Sequence, residues 1–134
     1  MNVLIIGLGS IARKHVIALL SLPLDFEIFA LRSSNQADKF HDVVNLFDLD
    51  DQSLVFDFAI ISSPTHLHYQ YIDLLSQKSI PLFIEKPAVH KLDKVDELLC
   101  LVSEKQITTY VACNLRFHPC LLFLKDKLTS EKLR

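Results

Sequence analysis

Glycine is almost missing from this chain. Its 134 residues hold two, Gly7 and Gly9, where an average soluble domain spends roughly 7% of its residues on glycine. Scattered use in turns is thereby excluded, and the run G-L-G that holds both copies marks a place that needs a missing side chain. Long apolar runs are lacking too. No stretch approaches the roughly 18 residues of a membrane span, and the opening "MNVLIIG" has neither the basic flank nor the small-residue cleavage site of a signal peptide. A cytoplasmic protein with no membrane partner is expected. There is little excess of either charge: 14 basic residues against 16 acidic ones leave a formal net charge of −2, which gives no pull toward nucleic acid. Cys100, Cys113 and Cys120 are an odd number without C-x-x-C spacing, so they read as buried free thiols and not as a disulfide framework or zinc site. Of six histidines only His66 and His68 lie close. Two residues apart on a helix, they point in different directions, and no metal site is expected.

What is there is an alternation of apolar runs and helical stripes, the mark of parallel α/β architecture. "NVLIIG" is nearly all apolar, as a strand covered on both faces should be. "FEIFALR" (26–32), "DVVNLF" (42–47), "DFAIISS" (57–63), "IPLFIE" (80–85) and "TTYVACN" (108–114) follow as further strands. Between them the spacing predicts a helix over 10–20 burying Ala12, Val16, Leu19 and Leu20. A second after Pro64 should bury Leu67, Tyr71, Leu74 and Leu75, and a third Leu92, Val95, Leu99 and Val102. Pro119 at a first turn, with Leu121, Leu124 and Leu128, predicts a last helix. Residues 33–41 are too polar to assign. The fold class expected is α/β: a doubly wound, mostly parallel Rossmann sheet in three α/β/α layers with right-handed crossovers.

The glycines fall at the turn between the first strand and the first helix, in G-L-G-S-I-A, a GxGxxA form of the dinucleotide fingerprint. Gly7 permits the tight turn, Gly9 lets a pyrophosphate approach the backbone, and small Ala12 lets helix and strand pack closely. Amides of Ser10 and Ile11 at the helix N-terminus then face the phosphates. The fingerprint's second element, an acid after the next strand, is not found in "ALRSSNQ". Arg32 stands there with Ser33 and Ser34, a set suited to a 2′-phosphate. It predicts NADP(H) in preference to NAD(H), against the alternative of a solvated surface arginine.

Four stretches resemble the Gfo/Idh/MocA oxidoreductases, the group of glucose-fructose oxidoreductase and inositol dehydrogenase: "GLGSIARKH", "SSPTHLHYQYIDLL", "IEKPAV" and "CNLRFHP". The resemblance implies that Ser63, Pro64 and Thr65 border the cofactor, with His68 on the helix behind them. It implies that Glu85 contacts the nicotinamide ribose, that Lys86 is the active-site lysine beside a substrate hydroxyl or carbonyl, and that the bond to Pro87 is cis. Asn114 and Arg116 would lie near the cleft floor. A lysine at the carboxyl end of a central strand points into the crevice where open α/β sheets bind ligands, and its charge can stabilise a developing alkoxide. His15 and His66 read as structural or surface residues.

Complete members of that family carry a second domain that supplies most substrate contacts, and the resemblance implies that this C-terminal domain is absent here. Residues 1–118 are expected to be the NAD(P)-binding domain and residues 119–134 the start of a connecting helix. Two readings stay open. The chain is the cofactor domain of a dehydrogenase acting on a sugar, nucleotide-sugar or cyclitol, or it is a noncatalytic dinucleotide-binding module; a domain that binds no nucleotide is a third. On the first reading, an uncovered apolar face favours assembly into a homo-oligomer.

Overall fold

The structure, a computed structural model, describes residues 1–34, 38–51 and 53–130. Strands β1 (Asn2–Ile6), β2 (Glu27–Leu31), β3 (Val44–Leu46), β4 (Phe58–Ile61), β5 (Leu82–Ile84) and β6 (Thr109–Val111) form one sheet. All neighbours are parallel, in the order β3-β2-β1-β4-β5-β6. Helices α1 (Ser10–Leu20), α2 (His68–Gln77), α3 (Val95–Glu104) and α4 (Pro119–Ser130) follow β1, β4, β5 and β6. Each strand lies inside the apolar run that predicts it and is shorter, because the flanking residues turn out of the sheet toward the loops.

Strand β1 is the axis of the fold. Ile5 pairs with Ala30 of β2 and Ile60 of β4, and successive side chains alternate between the two faces. Val3 and Ile5 join Ala12, Val16 and Leu19 of α1 in one cluster; Leu4 and Ile6 join Ile72 and Leu75 of α2 and Leu98 of α3 in the other. A strand with both faces covered can be apolar throughout, which is why "VLII" works here. The α1 face of β4, β5 and β6 carries an apolar groove of about 450 Å³ beside Leu19 and Leu22, floored by Phe58, Ile60 and Phe83.

The helix faces depart from expectation by about one position. On α2 the buried residues are His68, Ile72, Leu75 and Ser76, while Leu74 is exposed. The stripe starts at a polar residue, so counting apolar residues alone misplaces it. On α3 the helix starts at Val95, leaving Leu92 outside it and exposed; Leu98 is buried and Leu99 points away. Leu20 of α1 is likewise exposed. All three cysteines are exposed, correcting the expectation of buried thiols. Cys100 lies two residues past Leu98, off the packed face of α3, Cys113 follows an edge strand with no buried residue, and Cys120 opens a helix with none either. Residues 131–134 of the expected connecting segment lie outside the described residues. Among the described residues no helix is long and apolar enough to cross a membrane.

The α2 register is testable. Ile72→Val, at a site only 4% exposed, is expected to lower the unfolding free energy by about 0.5–1.5 kcal/mol, and Leu74→Met to change it by no more than about 0.5 kcal/mol. Urea unfolding of the two variants measures both, and equal losses would mean that Leu74 shares the packed face.

Candidate functional site

Because every strand is parallel, all six carboxyl ends lie along one edge of the sheet, and the loops that leave them meet there. The order of the strands reverses at β1, whose neighbours are β2 and β4, and a crevice opens outside such a switch point. Residues 7–11, Arg32 with Ser33, and residues 62–64 enclose a cleft of about 510 Å³ at this place.

The two glycines at its centre are required for different reasons. Gly7 has φ +83°, and a Cβ there would stand 3.4 Å from Cα of Ser63. Its amide donates to Leu31 O at 3.0 Å, closing the turn onto β2. Gly7 is thus demanded by the fold itself. Gly9 has an ordinary φ of −74°, and a Cβ on it would meet nothing within 4 Å. Neither backbone conformation nor packing calls for glycine at Gly9. It is the N-cap of α1, makes no side-chain cap, and leaves a first turn with no acidic residue, so the amides that start the helix keep their affinity for an anion. Ala12 is fully buried where α1 meets the sheet.

Arg32 lies one residue beyond β2 with its side chain 14% exposed. Its Nη1 donates to Asn45 Oδ1 at 3.1 Å and its Nη2 reaches Asp38 Oδ1 at 3.4 Å. Asp38 Oδ2 meets Arg13 Nη2 of α1 at 2.5 Å. The Arg13 guanidinium, and after it that of Arg32, holds the Asp38 carboxyl below the usual carboxylate range. Ser33 and Ser34 are exposed beside them. An acid does therefore follow the second strand. It lies outside "ALRSSNQ", because Asp38 comes six residues after the arginine.

Beyond β4, Ser63 and Pro64 line the cleft and Thr65 opens a short 3-10 turn (Thr65–Leu67). The Ser63 hydroxyl is buried and has no hydrogen-bond partner among the described residues. His68 begins α2 with its ring 1% exposed. Its Nε2 is 2.8 Å from Ser63 O, and its Nδ1 is 3.0 Å from Pro87 O and 3.2 Å from Ala88 O. The ring reaches the cleft only through the loops that it ties together.

Glu85 and Lys86 follow β5. Glu85 Oε1 contacts His15 Nε2 of α1 at 2.6 Å, and Glu85 Oε2 accepts from the Lys86 amide at 3.3 Å. His15, expected to be structural or on the surface, is the carboxylate's partner, held edge-on against Phe83 with ring centroids 5.4 Å apart. The signal was its place in "GLGSIARKH", nearly two helical turns from Gly9. Lys86 is exposed, and the Lys86-Pro87 bond is cis. Asn114 and Arg116 do not line the cleft with the glycine turn. They sit in an exposed 3-10 turn (Asn114–Phe117) after the edge strand β6, with the Arg116 guanidinium 5.6 Å from the Phe117 ring centre. Among the described residues no three His, Cys, Asp or Glu side chains gather as metal ligands would.

Residues 1–113 match the model of the Gfo/Idh/MocA oxidoreductase family, NAD-binding Rossmann fold. The uncharacterized oxidoreductase YrbE of Bacillus subtilis is 32% identical over 124 residues, which are 86% of this chain and 36% of YrbE. Among solved structures, the WlbA (WbpB) dehydrogenase of Thermus thermophilus, in complex with NAD and UDP-GlcNAcA, is 25% identical with a TM-score of 0.80 over 97% of this chain and 47% of its own. The apo scyllo-inositol dehydrogenase of Lactobacillus casei shares the fold at 17% identity, with a TM-score of 0.79 over 99% of this chain and 42% of its own. The chain thus spans between a third and a half of the length of these relatives. With the fingerprint turn at the switch point of a 3-2-1-4-5-6 sheet, the chain belongs to the Gfo/Idh/MocA family of oxidoreductases, as its NAD-binding Rossmann fold.

Proposed function

We propose that this chain is the NAD(P)-binding domain of an oxidoreductase whose substrate is a sugar, nucleotide-sugar or cyclitol, and that it takes NADP(H) in preference to NAD(H). One observation carries the reading. Gly9 is a glycine for which the chain's own backbone and packing give no reason, at the one turn where a dinucleotide pyrophosphate must come close to the main chain. The residues fit such a ligand in a second respect, since the buried Ser63 hydroxyl has no partner among the described residues, at the border of the same cleft.

In this reading Gly7 shapes the turn, and the amides of Ser10 and Ile11 hold the pyrophosphate at the start of α1, which Ala12 lets pack closely. Arg32, with Ser33 and Ser34, takes the 2′-phosphate through charge-assisted hydrogen bonds. Ser63, Pro64 and Thr65 border the nicotinamide half, and His68 keeps their loop in place. Glu85, oriented by His15, receives the nicotinamide ribose. Lys86 and Pro87 close the site from β5, and the Lys86 ammonium polarises a carbonyl or stabilises an alkoxide while hydride moves. The nicotinamide, when bound, supplies or accepts that hydride. Asn114 and Arg116, on the exposed turn after β6 and outside the glycine-turn cleft, are given no part in holding the pyrophosphate. The substrate class rests on WlbA, whose structure holds UDP-GlcNAcA, and on the scyllo-inositol dehydrogenase.

Titration calorimetry of the chain with NADPH and, separately, NADH tests the reading. Binding of both, tighter for NADPH, is the expected result; no binding of either overturns it. Hydride transfer needs donor and acceptor in contact and shielded from water. The chain by itself is therefore expected to bind NADPH without oxidising it steadily when a sugar is added, and absorbance at the nicotinamide band checks this.

A further inference from the structure

Resting on the dinucleotide reading above, we propose that Asp38 sets the cofactor preference of this site: it is a built-in carboxylate that occupies the guanidinium groups of Arg13 and Arg32 and must give way before a 2′-phosphate binds them. Arg13 is then a second phosphate-binding arginine, and Asp38 is the group that lets NAD(H) compete.

The argument starts from which members of the trio are fixed. Arg32 is held independently of Asp38 by Asn45 Oδ1 at 3.1 Å and is 14% exposed. Arg13 is held by Nε, which donates to Leu8 O at 3.4 Å, and by stacking over Phe40 at 4.8 Å from the ring centre. The carboxylate is the loose member, with 59% of its side chain exposed. Removing or displacing it leaves Arg32 its bond to Asn45, and leaves Arg13, 36% exposed, its contacts with Leu8 O and the Phe40 ring. Arg32 lines the cleft beside Gly9 and Ser33, and Arg13 is joined to it through their shared contact with Asp38, which in this proposal brings both guanidinium groups to the ribose end of a dinucleotide whose pyrophosphate lies on Gly9.

Two guanidinium groups and one carboxylate leave one positive charge in excess, and the chemistry of the two cofactors differs at this spot. A 2′-phosphate offers three acceptor oxygens and about two negative charges, more than a carboxylate does, and competes for the same N–H donors. A 2′-hydroxyl cannot displace Asp38 but donates to it, which is the role of the acid in an NAD-type fingerprint. Asp38 thus opposes one cofactor and assists the other, so that one residue supplies both the attractive and the repulsive part of the discrimination. An exposed carboxylate is ionised at neutral pH in any case, and the paired arginines favour that charged form further.

The test is calorimetric titration of NADPH and NADH into the wild-type chain, Asp38→Asn, and the double variant R13Q/D38N. Asp38→Asn is expected to tighten NADPH and weaken NADH, raising the preference for NADPH by about tenfold to a hundredfold. In the double variant the tightening of NADPH should be smaller than in Asp38→Asn, because Arg32 alone is freed, while the weakening of NADH should persist. If both cofactors bind Asp38→Asn with their wild-type ratio, the proposal for Asp38 is overturned while the dinucleotide reading stands. NADPH tightening as large in the double variant as in Asp38→Asn overturns the role given to Arg13. Should the wild-type chain bind neither cofactor, the underlying reading fails and this inference with it. Far-ultraviolet circular dichroism of each variant guards against misfolding, and Asp38→Ser, which also removes the charge at an exposed position, must shift the ratio in the same direction.

Discussion

Gly9→Ala is expected to fold as well as the parent chain and to bind NADPH about a hundredfold more weakly. The two halves of that result come from different physics. In the folded chain the new Cβ meets nothing within 4 Å, and φ of −74° suits any residue. Losing the N-cap glycine costs alanine a few tenths to about 1 kcal/mol, while the stiffer unfolded chain returns about 0.4–1 kcal/mol. The sum stays near zero. Binding is another matter, because on the proposed reading a methyl at Gly9 occupies the space through which the phosphates reach the amides of α1. Loss of two charge-assisted hydrogen bonds at about 1.5 kcal/mol each corresponds to the hundredfold stated. Gly7→Ala should behave in the opposite sense: its φ of +83° and the 3.4 Å approach to Ser63 predict a loss of about 1–2 kcal/mol in stability. Thermal melts beside calorimetry separate the two. Undiminished NADPH binding by Gly9→Ala would remove the observation on which the functional reading rests.

How much of this was legible in the sequence depends on the range over which each feature is determined. The strands were legible because burial on both faces demands unbroken apolar runs, and "VLII" or "AII" has no other easy reading. The glycine turn was legible because its demand is local, confined to residues 7–12. The helix registers were less so. On α2 the packed face includes His68 and Ser76, which a search for leucines passes over in favour of Leu74. Contacts between distant residues were not legible at all. His15 meets Glu85 across 70 residues and Arg13 meets Asp38 across 25, pairings that exist only because β1 lies between β2 and β4 and brings the carboxyl ends of the strands together. The cysteines failed for a related reason. Thiol burial is a preference of the residue type, whereas Cys113 and Cys120 follow an edge strand and open a helix without buried residues.

His68→Leu tests whether a single buried ring holds the two loops of the site in register. The ring is 1% exposed, and every polar contact of its nitrogens is with a backbone carbonyl: Ser63 O on one side, Pro87 O and Ala88 O on the other. Carbonyls only accept, so the ring must donate. A ring N–H is the one kind of donor the side chain offers them. Leucine fills similar space and donates to neither, so a part-buried carbonyl that the ring serves loses its donor, at about 1–3 kcal/mol. A loss of about 1–3 kcal/mol is therefore expected in urea unfolding, with partial recovery in His68→Gln, whose amide still donates. The loss should not be confined to stability. Ser63 touches the glycine turn, with its Cα 3.4 Å from where a Cβ on Gly7 would be, and Pro87 follows Lys86 directly. Releasing both loops should therefore weaken NADPH binding in His68→Leu more than in a core variant of equal stability such as Ile61→Ala. If the two variants bind NADPH alike at equal stability, His68 is a packing residue alone; if His68→Leu is as stable as the parent, the carbonyls are satisfied without the ring and the tie between the loops is not what the geometry implies.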